Sequence, residues 1–145
     1  MNTIINGRCS DLSILDPFFN SFKLIYPSFD IWFKKSCNEG RLAYYSFSEK
    51  KKSIEALSII RSIKKNDQLH VKICSFKINN ESSVRGFELL HHTLLKIKEH
   101  YPNCSKIYLT VPCLDSKISM FFLKHGFYIN DDRTHLFFQP LDVLI

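Results

Sequence analysis

Arg85 and Gly86 stand between a cluster of turn-forming residues, NNESSV (Asn79 to Val84), and an apolar-periodic stretch, FELLHHTLLKIKEHY. Residues of these types in this order suit phosphate chemistry. Glycine lets a ligand approach the backbone closely, and the first turn of a helix leaves amide N–H groups pointing outward, so a helix opened at Gly86 can hold a phosphate. A β-rich run, LHVKICSFKI (Leu69 to Ile78), precedes the cluster, and a second, KIYLTV (Lys106 to Val111), follows the helix. Strand, glycine-opened helix and parallel return strand form a crossover unit. Metal and disulfide chemistry find less support. The five cysteines (Cys9, Cys37, Cys74, Cys104, Cys113) are odd in number and scattered, with no C-x-x-C pair, which points to buried free thiols and not to a zinc site or a disulfide framework. His91 and His92 are adjacent on the expected helix, where neighbours point about 100° apart, so the two do not easily share one ion.

The elements that position this stretch are legible in order. In the helix, Phe87, Leu90, Leu94, Ile97 and Tyr101 recur at helical spacing, whereas Glu88, His92, Lys96 and Glu99 fall mainly elsewhere, and Pro102 and Asn103 end it. DSKISMFFLKHGF (Asp115 to Phe127) reads as a short helix closed by Gly126. Upstream, Asn2 to Gly7 suits a short strand. Two helical candidates follow, the first capped by Asp11 or Asp16 with Pro17 in its first turn, the second capped by Ser28 before FDIWFKKS. Phe18, Phe19, Phe22, Leu24, Tyr26, Phe29, Trp32 and Phe33 supply two aromatic surfaces, for packing on a sheet or for lining a groove.

Gly40 ends the second helix, and RLAYYSFS (Arg41 to Ser48) and IEALSIIRSI (Ile54 to Ile63) read as strands joined by EKKKS; KKNDQ (Lys64 to Gln68) joins them to the Leu69 to Ile78 strand. In such an antiparallel meander the Lys50-Lys51-Lys52 turn falls at the same end as the Asn79 to Gly86 loop, and Lys64-Lys65 at the other. After Phe127, INDDR forms a turn into THLFFQPL (Thr134 to Leu141), a closing strand expected beside Lys106 to Val111.

At 145 residues the chain suits a single domain over residues 1–145, large enough to bury about two-thirds of its unfolded surface. The expected class is α/β: a mixed, twisted sheet of six or seven strands with helices on both faces. No apolar run approaches the roughly 20 residues of a membrane span, and MNTIINGRCSD lacks the features of a signal peptide, so a cytoplasmic location is expected. A net charge of +6 favours an anionic partner, of which RNA is one. The sequence shows neither a nucleic-acid motif nor the alternating basic and aromatic pattern of a single-strand platform.

VRGFELLHHTLL, followed by IYLTV and then FFLKHGF, resembles the acetyl-CoA-binding half of the GCN5-related N-acetyltransferases over Leu69 to Phe127. The resemblance implies an acetyl-CoA-dependent N-acetyltransferase acting on an amine: a small amine, a protein amino group or an aminoacyl-RNA. It implies that main-chain groups of Phe76 to Ile78 bind the pantetheine arm, with the parallel strand splaying away from them. The loop and helix start, through Val84, Arg85, Gly86, Phe87, Leu89 and Leu90, would then receive the pyrophosphate, helped by Arg85 and the Lys50 to Lys52 turn.

The chain departs from the family pattern at named places. Glu88 and Leu90 occupy the loop's two small positions, and Glu88 is expected to turn to solvent to spare the pyrophosphate. Asp115 stands where the family often has Asn, and Phe122 where it commonly has the Tyr that protonates the departing thiolate. Glu55 and His70 are the candidate bases for the amine. The same departures suit a second reading, a catalytically impaired member of the fold serving as a binding module, with nucleic acid as one partner.

Overall fold

The structure is a computed structural model describing residues 3–111, 114 and 116–139. Seven strands form one sheet: β1 (Ile5–Arg8), β2 (Leu42–Ser48), β3 (Ser53–Lys65), β4 (Gln68–Ile78), β5 (Cys104–Thr110), β6 (Tyr128–Ile129) and β7 (His135–Phe138). Four helices accompany them: α1 (Asn20–Ile25), α2 (Phe29–Asn38), α3 (Gly86–His100) and α4 (Lys117–Lys124). Hydrogen-bonded strands follow the order β1-β2-β3-β4-β5-β7-β6. The mixed α/β class and the seven-stranded sheet are as the sequence predicts. Contacts gather Met1–Ile60 with Ser75–Leu90 into one compact unit and Arg61–Cys74 with His91–Ile145 into another, so β3, β4 and α3 each contribute to both.

In the first unit, β1 pairs antiparallel with β2 and β2 with β3, with a register shift between Ser46 and Phe47. Every residue from Ile54 to Ile60 is buried, so both faces of this part of β3 are covered. The aromatic run is core at Phe18, Phe19, Phe29 and Phe33, with Phe19 and Phe33 ring centroids 5.2 Å apart and Phe22 stacked on Phe29. Leu24 and Tyr26 are exposed and take no part in that core. Asp16 caps the turn before α1, as expected, by accepting from Phe18 N at 2.9 Å, and it also accepts from Ile54 N at 3.0 Å. One carboxylate therefore fixes both a helix entry and a strand start. Ser28 takes the position before α2, but its side chain makes no capping bond. Lys77 Nζ donates to Phe18 O at 3.3 Å and to Ser21 Oγ, and lies 4.9 Å from the Phe18 ring. Burial pushes its ammonium pKa down.

In the second unit, Asn66 and Asp67 have φ of 53° and 63°, the left-handed pair that a two-residue hairpin of matching twist requires. β4 is parallel to β5 over Leu69–Lys72, and β7 is antiparallel to β5, both as expected. β7 takes His135–Phe138 of the expected closing segment, whose Pro140 and Leu141 lie outside the described residues, and β6, which takes Ile129 out of the expected turn, pairs with β7 as well. α4 begins at Lys117, capped by Ser116 Oγ accepting from Ser119 N at 3.2 Å; Asp115 and Cys113 lie outside the described residues. Gly126 closes the helix at φ 96°, where a Cβ would stand 3.2 Å from the Phe138 ring. No helix among the described residues is long and apolar enough to cross a membrane.

Candidate cofactor site

The loop that delivers the chain to α3 is held by a buried carboxylate. Glu55, on β3 and 8% exposed, accepts at Oε1 from Ser46 Oγ at 3.1 Å, from Ser83 N at 3.3 Å and from Ser83 Oγ. Its backbone carbonyl accepts from Asn79 N at 2.9 Å. Both ends of the turn cluster are thereby tied to a strand covered on both faces. Within the loop, Ser82 N donates to Asn79 O at 3.0 Å and Ser82 Oγ accepts from Val84 N at 3.0 Å, so the chain is already shaped where it enters the helix.

The lysine turn reaches the same loop. Lys51 Nζ pairs with the Glu81 carboxylate, and that hydrogen bond, ahead of its charge, holds the Glu81 carboxyl below the usual range. The expected placement of Lys50 to Lys52 beside Asn79 to Gly86 thus holds in this unit. Lys52 pairs with Glu49 at 3.4 Å, so two of the three lysines are matched by carboxylates.

The helix start corrects one expectation. Glu88 does not simply turn to solvent: its Oε1 accepts from Arg85 N at 3.2 Å and caps α3. The first bond onto the loop carbonyl is Leu89 N to Arg85 O at 3.1 Å. The N–H groups of Gly86 and Phe87 therefore precede the intrahelical ladder and lie at its positive end. Among the residues implied for the cofactor, Val84, Leu89 and Leu90 are buried, Arg85 and Phe87 are exposed, and Gly86, Phe76 and Ile78 are partly exposed. Leu90, at the second small position of the family pattern, is spent on the core. α3 begins at Gly86, as expected, and Val84 turns into the core ahead of the helix.

The remaining candidates fall in the second unit. Phe122 is fully buried, edge-on to Phe127 at 5.0 Å, so its ring belongs to a core of aromatic contacts and offers no proton. His70, on β4, has its pKa pushed down by burial first and then by Lys106 and Lys65. The two candidate bases, Glu55 and His70, are placed one in each unit. Ser46 and Ser83, which sequence reasoning missed, carry no local signal, since their meaning comes only from a partner that is 9 or 28 residues away. Among the described residues no group of three or more His, Cys, Asp or Glu is placed to hold a metal ion.

No family model matches the sequence, and no curated protein does. Solved structures match nearly throughout. The AtaT-AtaR complex bound to DNA shares 14% identity, with a TM-score of 0.67, over 97% of this chain and 96% of that one. AtaTR bound with acetyl-CoA shares 12% identity at a TM-score of 0.65, over 97% of this chain and 94% of that one. AtaT complexed with acetyl-methionyl-tRNAfMet shares 11% identity at 0.65, over 97% of each chain. The chain has the fold of the GCN5-related N-acetyltransferases.

Proposed function

We propose that the chain is a single-domain, acetyl-CoA-dependent N-acetyltransferase that transfers the acetyl group to an amine acceptor. The observation that carries this reading is the helix start on a fixed loop: Glu55 holds residues 79 and 83, and the N–H groups of Gly86 and Phe87 precede the ladder of α3. Two N–H groups at the positive end of a 15-residue helix suit a pyrophosphate. The acetyl-CoA bound by a solved neighbour of the same fold supports the same ligand here.

Residues Phe76 to Ile78 would hold the pantetheine arm through main-chain groups, and Arg85, exposed beside the helix start, would meet the phosphates. Acetyl-CoA supplies the thioester; the neutral amine attacks its carbonyl carbon, the carbon–sulfur bond breaks, and the thiolate leaves. Phe122 cannot protonate that thiolate, so this chain's contribution is to bind and orient, with the proton coming from water or from the attacking nitrogen, which becomes cationic on attack and sheds a proton as the amide forms. Loss of a placed acid lowers the rate by about 10²- to 10⁴-fold where one operates, which weakens the reaction without removing it. Glu55 positions the loop, its Oε1 accepting three donors.

Calorimetric titration with acetyl-CoA tests the reading. Binding with a heat that is lost in Gly86→Val is the expected result. No heat at millimolar acetyl-CoA would overturn it in favour of a non-catalytic member of the fold.

A further inference from the structure

A cavity of about 370 Å³ in the second unit takes no part in the acetyl-CoA reading. It follows from strand alternation. Along β5, Ile107 and Leu109 are buried, which turns Lys106 and Tyr108 to the opposite face. On β7, Leu136 and Phe138 are buried and His135 and Phe137 face outward; on β4, Val71 is buried and His70 faces outward. The register then sets His70 beside Lys106 and Tyr108 beside Phe137.

The result is a platform of rings. Tyr108 lies 5.8 Å from both Phe137 and His135, and 6.2 Å from His70. Lys106 Nζ stands 4.9 Å over the Phe137 ring, and Lys65 joins the cavity wall from the end of β3. His70 carries its ring into the wall with Nε2 shielded from solvent and without a hydrogen-bond partner among the described residues. The carboxylate that lines the cavity, Asp132, is hydrogen-bonded to His135 Nδ1 at 2.7 Å. Lys65 and Lys106 outweigh its single negative charge and leave the cavity positive.

Rings alone would suit an apolar ligand, and lysines alone would suit a bare anion. A nucleotide uses both at once, since every base has a face that stacks on an aromatic side chain and every linkage carries a charge. The volume lies at the small end of ligand sites and suits one nucleotide. We propose that this platform binds single-stranded nucleic acid, with one base stacked on Tyr108 and bordered by Phe137, whose ring is tilted 45° from it, and the adjoining phosphate between Lys65 and Lys106. The proposal stands whether or not the chain transfers acetyl groups.

The test is fluorescence anisotropy of a labelled five-nucleotide oligouridylate with the full chain, at several salt concentrations, with inorganic phosphate and uridine as separate competitors. Tyr108→Ala is expected to weaken binding by roughly five- to hundred-fold, the span of one base stacked on an aromatic ring. Lys65→Ala, at the exposed end of β3, is expected to reduce the slope of log affinity against log salt by about 1. Thermal melts report whether each variant folds; if Tyr108→Ala does not, Phe137→Leu and Lys65→Ala carry the test. Equal affinity in wild type and folded variants overturns the proposal. So does competition by phosphate together with indifference to Tyr108→Ala or Phe137→Leu, which would leave an anion site without base stacking. Sedimentation showing a dimer that excludes the oligonucleotide would overturn it in favour of a second copy of this chain.

Discussion

Replacing Glu55 separates a carboxylate that shapes a loop from one that moves a proton. In Glu55→Ala, the Ser46 hydroxyl, on a residue only 4% exposed, loses its acceptor and cannot turn to water. An orphaned buried donor costs about 1–3 kcal/mol. Ser83 is exposed, so its N–H and hydroxyl find water and its share is small. The expected loss is therefore about 1–3 kcal/mol, read as a shift in the urea midpoint of about 0.7–2 M for a slope near 1.5 kcal/mol/M.

Glu55→Gln keeps an oxygen at the same reach and is expected to lose about half as much. Amide exchange localises the effect: the Ser83 amide, which loses its acceptor, should exchange faster in the alanine variant while Asn79, held by the backbone carbonyl of residue 55, changes less, and acetyl-CoA affinity should fall with the loosened loop. A base would behave differently, because Gln cannot take a proton and turnover would vanish while the loop stayed protected. Alanine within about 0.5 kcal/mol of wild type, or a glutamine variant that is stable, binds acetyl-CoA and is dead, would refute the positioning role.

Gly86→Val should weaken acetyl-CoA binding at least ten-fold while moving the urea midpoint little, since the added side chain stands at the helix start and not in the core; calorimetry beside a urea melt decides it. Phe122→Tyr should cost about 1–3 kcal/mol by overpacking a fully buried aromatic cluster, and a neutral or stabilised variant would show room for the hydroxyl and reopen a donor role there. Stability should fall on acidification below the ordinary histidine value of 6.5, because His70 and His92, both pushed down mainly by burial, stay neutral in the folded chain while the unfolded chain takes up protons. That loss begins near 6.5 and stops growing once pH passes the depressed folded values; His70→Gln with His92→Gln should flatten it in melts between pH 7 and pH 5.

What was legible in the sequence is what depends on neighbours in the chain. α3 announced itself through Phe87, Leu90, Leu94 and Ile97 at helical spacing with Pro102 beyond, and β4 and β5 through their β-rich composition, so the parallel pair could be expected from order alone. The hairpin ends were legible for the same reason, and with them the meeting of Lys51 and Glu81, which needs only that alternate strands reverse. Side-chain roles were less secure. Val84, read as part of the turn cluster, is spent on the core, and Glu88, expected to face solvent, keeps its carboxylate at the helix start by capping Arg85 N.

The platform shows why the rest was not legible. A search along the chain for alternating basic and aromatic residues finds none long enough, because each strand contributes one short piece: His70 on β4, Lys106 and Tyr108 on β5, His135 and Phe137 on β7. Only the register sums them, and register depends on pairings between segments more than twenty residues apart. Glu55 is the same case in the core, where an acidic residue inside IEALSII gives no hint that two serines on other elements complete it. Local periodicity thus places the backbone that a cofactor would meet, while the side chains that fix a loop or receive a base are assembled by pairing. A basic chain with this fold can therefore carry a nucleic-acid surface that its sequence, read as a line, does not display.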